Sequence, residues 1–173
     1  MSKISLTLEP SPNRNLKIGR IASVVLLGGF LATSLASCAS VASVDAAPDA
    51  ANPACAEMMV VLPEVIGDAE RRPTSSQATS AWGDPSQVVL RCGVEAPGPT
   101  TDPCVSVNNV DWVAHEDKSG IWTLTTYGRT PATEVVLDPN VIPSSTVLAT
   151  LSDSASRIPA QKQCTSVEKA EKF

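Results

Sequence analysis

The chain has 173 residues with 13 Lys or Arg against 18 Asp or Glu, and 43% hydrophobic residues supply enough apolar side chain for one packed core. Four of those bases and one acid fall in the first 37 residues, so from Cys38 onward nine basic side chains face seventeen acidic ones. This excludes a nucleic-acid binder, which needs a basic footprint for phosphates, and the length suits one domain with appended segments.

Lys3, Arg14, Lys17 and Arg20 precede an uncharged run, "IASVVLLGGFLATSLAS", over residues 21 to 37. A basic region followed by an apolar one is the anatomy of a signal peptide, and the run is shorter than the roughly 20 apolar residues of a spanning helix. Leu35, Ala36 and Ser37 stand directly before Cys38. They resemble the bacterial lipobox, in which diacylglycerol is attached to the cysteine and the chain is cut on its amino side. An ordinary secretory signal and an uncleaved anchor with its basic tail inside stay open beside this reading. All three place the chain after Cys38 outside the cytoplasm, and the lipoprotein reading anchors it to the outer face of the cytoplasmic membrane.

Residues 39 to 52, "ASVASVDAAPDAAN", show no period and few large side chains, which predicts a disordered tether after the lipidated cysteine. A flexible coil of that length would hold the domain on the order of 20 Å from the bilayer. Asn52 as N-cap and Pro53 at the first helical position open a helix. Cys55, Met58, Met59 and Leu62 make its apolar stripe, and Pro63 breaks it before Gly67. Residues 68 to 86, with "RRPTSSQ" and "WGDP", read as loop. "QVVLRC", "VDWVAH", "IWTLTTY" and "TEVVL" read as strands, the middle two joined as a hairpin by "EDKSG". A second helix follows Pro143, with Val147, Leu148, Leu151, Ala155 and Ile158 on one side. The expected architecture is an α+β domain over residues 53 to 165, in which two helices cover one face of an antiparallel sheet of about four strands. Residues 166 to 173 read as a frayed tail.

Little in this chain points to catalysis. His115, the one histidine, falls at a strand end with no nucleophile motif beside it, so a solvated side chain is the preferred reading. The acids show no pair that stands out, and no P-loop, EF-hand loop or GxGxxG occurs. Arg71 and Arg72, with Arg91 and Arg129 nearby in type, could clamp an anionic headgroup or phosphate. Structural ion pairs with the acidic surface are the stronger reading. Trp82, Trp112 and Trp122 could line a groove, although core packing is the default for so few aromatics. Arg71, Arg72, Trp82 and Asp84 are the candidate ligand-binding residues. No cofactor and no metal site is indicated, since the cysteines show no CxxC spacing.

Taken in order, Cys55 on a helix running into Leu62-Pro63, Arg71-Arg72, "AWGDPSQVVLRCGV", "VNNVDW" and "YGRTPATEVVL" resemble the DUF3515 family over residues 53 to 159. The resemblance implies a small exported actinobacterial envelope protein, and it implies no reaction, substrate or catalytic residue. Family members generally hold the cysteines matching Cys55 and Cys92.

Setting Cys38 aside for lipid leaves Cys55, Cys92, Cys104 and Cys164, an even set that allows three pairings. Packing the helix stripe that holds Cys55 on the strand face that holds Cys92 predicts Cys55–Cys92. Cys104–Cys164 then ties the loop after the first strand to the segment beyond the last helix. The expected function is a membrane-anchored binding or accessory module of the envelope, taking an envelope protein or a wall or lipid ligand. A hydrolase or transferase acting on wall or lipid material is the alternative, disfavoured by the absence of a nucleophile or metal constellation.

Overall fold

The computed structural model describes residues 40–165. The expected signal peptide over residues 1 to 37, the lipidation site Cys38 and the tail over residues 166 to 173 lie outside the described residues. Helix α1 spans Pro53–Met59 and helix α2 spans Ser144–Ser156, and between them run eight strands. These are β1 Val65–Ile66, β2 Ala69–Arg72, β3 Thr79–Trp82, β4 Val88–Val94, β5 Cys104–Val107, β6 Val110–Glu116, β7 Trp122–Thr126 and β8 Ala132–Leu137. They form one antiparallel sheet in the order β1-β2-β3-β4-β8-β7-β6-β5. Two four-stranded meanders are thus joined where β8 pairs with β4.

The four expected strands are β4, β6, β7 and β8, and the sheet has twice that number. Of the additional strands, β1 has two residues and β5 four, too short to show a period, while β2 reads "AERR" and β3 "TSAW", with few of the branched side chains that mark strands in a sequence. All four residues of β3, Thr79 to Trp82, are buried, and hydrogen bonds make this tolerable for its small polar side chains. The Ser80 hydroxyl accepts from Arg71 Nε at 2.9 Å, and the Thr79 hydroxyl donates to the Ser76 carbonyl at 2.6 Å. Buried hydroxyls cost little once they are paired in this way.

Helix α1 begins as expected, with the Asn52 side chain accepting from the Ala54 amide at 3.0 Å and Pro53 in the first turn. It is shorter than its stripe suggested. After Met59 the chain tightens, with Val61 and Leu62 donating to the carbonyls of Met58 and Met59, and Pro63 prevents a further turn. Cys55, Met58 and Leu62 still point into the core, beside Trp82, Val88, Leu90, Cys92, Trp112, Leu124 and Val135. The Cys55–Cys92 disulfide joins α1 to β4 across this core, with a Cα–Cα separation of 5.7 Å.

The placement of α2 differs from the expected cover over the sheet face. Its neighbours are α1, β1 at one edge of the sheet and β5 and β6 at the other, so the sheet curls until both edges reach one helix. Two buried serines make the joints. Ser154 donates to the Val61 carbonyl at 2.9 Å and Ser152 to the Val107 carbonyl at 3.0 Å. A sheet edge left open is a template for unwanted strand pairing, and α2 blunts both edges at once. Among the described residues no helix is long and apolar enough to cross a membrane.

The second departure concerns the expected tether. Residues 40 to 52 form a strap along the sheet face that the helices leave free. Ala42 and Val44 pack on Ala81 and Val89, a cross-strand pair of β3 and β4. The Ala42 amide donates to the Pro73 carbonyl at 2.9 Å, and the Asp49 amide donates to the Gly93 carbonyl at 3.0 Å. Gly93, at φ +99°, has no room for a β-carbon, which would run into the backbone of Asp49 and Ala50. Small side chains, which look like linker composition, are what allow the strap to lie this close.

The hairpin joining β6 and β7 is held by Asp117. One carboxylate oxygen accepts from the Ser119 amide at 2.8 Å, the Ser119 hydroxyl at 2.6 Å and the Ile121 amide at 3.0 Å. The Ser119 hydroxyl above all, then the Ile121 amide, holds its pKa below the ordinary aspartate value. A carboxyl with a lowered folded pKa stabilises above its unfolded pKa and loses that contribution as pH falls through the folded value. The Ile121 amide is therefore expected to be protected from hydrogen exchange near neutral pH. Asp117→Ala should remove that protection locally while leaving the midpoint of global unfolding unchanged.

Candidate functional site

Of the four candidate ligand-binding residues, the structure brings Arg71, Arg72 and Asp84 to the border of one cleft and buries Trp82. Arg72 stands opposite Ala81 on the strap side of the sheet, and Arg71 stands opposite Trp82. Neighbouring residues on a strand point to opposite faces, so the two arginines do not form one clamp. Trp82 is fully buried and donates its indole N–H to the Pro63 carbonyl at 3.0 Å. It belongs to the core, in keeping with core packing as the default reading of the tryptophans.

Arg72 is saturated. Its Nη1 donates to Asp84 Oδ1 at 2.8 Å and to the Gly83 carbonyl at 3.0 Å. Its Nη2 donates to the Ser40 carbonyl at 2.8 Å and to the Ser40 hydroxyl at 2.6 Å, and Nε reaches the same carbonyl at 3.3 Å. A guanidinium has five N–H donors in a fixed fork, and these contacts use all five. The Ser40 hydroxyl in turn donates to Asp84 Oδ2 at 2.8 Å. The three residues close a ring that pins the chain at Ser40. Arg71 is bound to Ser80 and lies 3.7 Å from Glu64 Oε1.

These side chains border a cleft of about 440 Å³ lined by Ser40, Asp68, Glu70, Arg72, Asp84 and Gln87 among others. Polar and apolar groups share its walls, and Arg72, with every donor in use, offers no fork to an anion. This arrangement holds the strap.

A second cluster sits where the Cys104–Cys164 disulfide closes, with Cα atoms 6.4 Å apart. Asp111 lies beside it and accepts from the Cys164 amide at 2.8 Å. Ligand atoms of Cys104, Asp111 and Cys164 fall within 4.8 Å of one another, but the two sulfurs are bonded to each other and a zinc site needs thiolates. The neighbouring hollow, about 170 Å³, is lined by Thr100, Asp102, Cys104, Tyr127 and Cys164 among others. His115 is two-thirds exposed at the end of β6, 3.6 Å from Asp102. That is the environment of a solvated strand-end histidine.

Arg129 has a role that sequence reasoning missed. It is buried, donates to the carbonyls of Ile158 and Asn109 and faces the charge of Asp111. Burial pushes its pKa down and Asp111 opposes that shift. The adjacent Gly128, at φ +68°, has no room for a β-carbon against the Lys162 backbone. "YGR" therefore fastens the segment after α2, as "CGV" fastens the strap before α1. The close glycine in each triplet was visible in the sequence, but its partner lies far away along the chain.

Comparison with curated proteins and with solved structures finds no match. A family model described as "Protein of unknown function (DUF3515)" matches residues 20–163. That span takes in the strap, both helices, all eight strands and both glycine contacts, and the chain belongs to the DUF3515 family.

Proposed function

We propose that this protein is an extracytoplasmic lipoprotein, anchored through Cys38 to the outer face of the cytoplasmic membrane, whose domain serves as a non-enzymatic binding or accessory module of the cell envelope. The observation that carries this reading is the division of the five cysteines. Cys38 follows an apolar run and a lipobox-like Leu-Ala-Ser, while the other four form two disulfides. Disulfides of this kind persist in oxidising compartments, which supports a position outside the cytoplasm. Arg72 has no donor to spare for a small anion in the cleft it borders, which favours a protein surface as partner over an anionic small molecule.

Cys38→Ala in the full-length protein is expected to abolish incorporation of radiolabelled fatty acid and to leave the precursor uncut. Equal labelling of the variant and the wild type would overturn the lipoprotein reading. Crosslinking in intact cells, followed by identification of the attached proteins, tests the module reading.

A further inference from the structure

We infer that the Arg72–Asp84–Ser40 ring sets the domain flush on the bilayer, so that one end of the sheet is a lipid-facing surface. This deepens the lipoprotein reading and rests on it. Ser40 is fixed on the domain by four hydrogen bonds, three from Arg72 and one to Asp84. Cys38 precedes it by two residues, and two residues span at most about 7 Å even when fully extended. A lipid on Cys38 has its glycerol at the headgroup level, so the ring lies within about one headgroup layer of the bilayer. A freely jointed strap of fourteen residues would instead allow on the order of 20 Å.

The strand register identifies which end faces the lipid. Trp82 pairs with Val88, Val88 with Leu137, Leu137 with Trp122 and Trp122 with Glu116. The turns at residues 83 to 87, 117 to 121 and 138 to 142 therefore leave the sheet at one end, and Asp84 of the ring is in the first of them. Val141, in the third, is 57% exposed, and Val41, next to Ser40, is 58% exposed. Both are apolar side chains suited to the interfacial region. The same turns carry Asp84, Asp117 and Asp138 against Lys118, so attraction to anionic lipid contributes nothing and the covalent anchor with its clamp must hold the domain down. The turn at residues 73 to 78 is at the opposite end and faces away from the membrane.

The test places a fluorescent amino acid at Ser86, in the lipid-facing turn, or at Gln77, in the opposite one. Both positions are exposed, and roughly 20 Å of strand and turn separates them. The full-length lipoprotein is reconstituted into phosphatidylcholine vesicles that carry a headgroup nitroxide quencher. The label at position 86 is expected to lose most of its emission and the label at position 77 to keep it. Inserting about twelve Gly and Ser residues between Ala39 and Ser40, enough to restore a long flexible spacer, should return emission at position 86. The insertion leaves the fold of residues 40–165 intact, which near-ultraviolet circular dichroism checks. Mass spectrometry of the same samples separates the two ways to fail. Protein without diacylglycerol on Cys38 overturns the lipoprotein reading and this inference with it. Acylated protein that emits equally at both positions, or that ignores the insertion, overturns the flush geometry alone.

Discussion

Replacing Cys55 and Cys92 together by alanine is expected to destabilise the domain by about 4 kcal/mol, the chain-entropy value for a 37-residue loop. Both cysteines are buried within the main core. Their bond is the covalent link between the seven residues of α1 and the sheet. So short a helix has no stability of its own, and without the bond it is held by Met58, Leu62 and the Asn52 cap. A loss of this size should lower the melting temperature by on the order of 15 °C. Denaturant unfolding of the wild type and of the double variant, under oxidising conditions, measures it. A loss below about 1 kcal/mol would mean that the packing of α1 alone suffices and that the bond is incidental. Opening Cys104–Cys164 should cost less than its 60-residue loop suggests. Cys164 is only partly buried and belongs to a segment after α2 that has other ties to the sheet, so its release is local rather than global.

The Cys55–Cys92 pairing was legible because both partners sit on strong local patterns, a helical stripe and an alternating strand. The same logic identified β4, β6, β7, β8 and α2, whose apolar residues repeat at the period of their element. It failed where burial depends on partners that are distant along the chain. The strap has alanines and two valines and looks like linker, and Arg72, Pro73, Ser75, Ala81, Val89 and Gly93, all distant along the chain, supply what it packs against. β3 offers "TSAW", which no periodicity rule selects. Its place between β2 and β4 makes it a strand, and Arg71 satisfies its serine. The candidate site was half legible. Arg72 with Asp84 is an ion pair, as the structural reading of these arginines expected, but the role of Ser40 in it could not be seen because a disordered tether has no fixed partner.

Arg129→Met is expected to destabilise the domain by about 3 kcal/mol, although methionine is apolar and fills a comparable space. The guanidinium is buried and bonded to the Ile158 and Asn109 carbonyls, and it faces Asp111. Removing a buried donor strands the acceptors it served. Two carbonyls lose their donor, and Asp111, which also accepts from the Cys164 amide, loses its counter-charge. Leaving a buried carbonyl without its donor costs about 1–3 kcal/mol, and two carbonyls are affected here. Arg129→Lys should rescue little, because an ammonium is a point charge and cannot hold two carbonyls on separate segments in one planar fork. Denaturant unfolding gives the size of the loss. Hydrogen exchange gives its location, which is expected at residues 158 to 164 and at the turn around Asn109, with the strap protected as in the wild type. If Lys matches Arg in both measurements, charge alone is sufficient at this position and the two-carbonyl fork is not what ties the segment after α2 to the sheet.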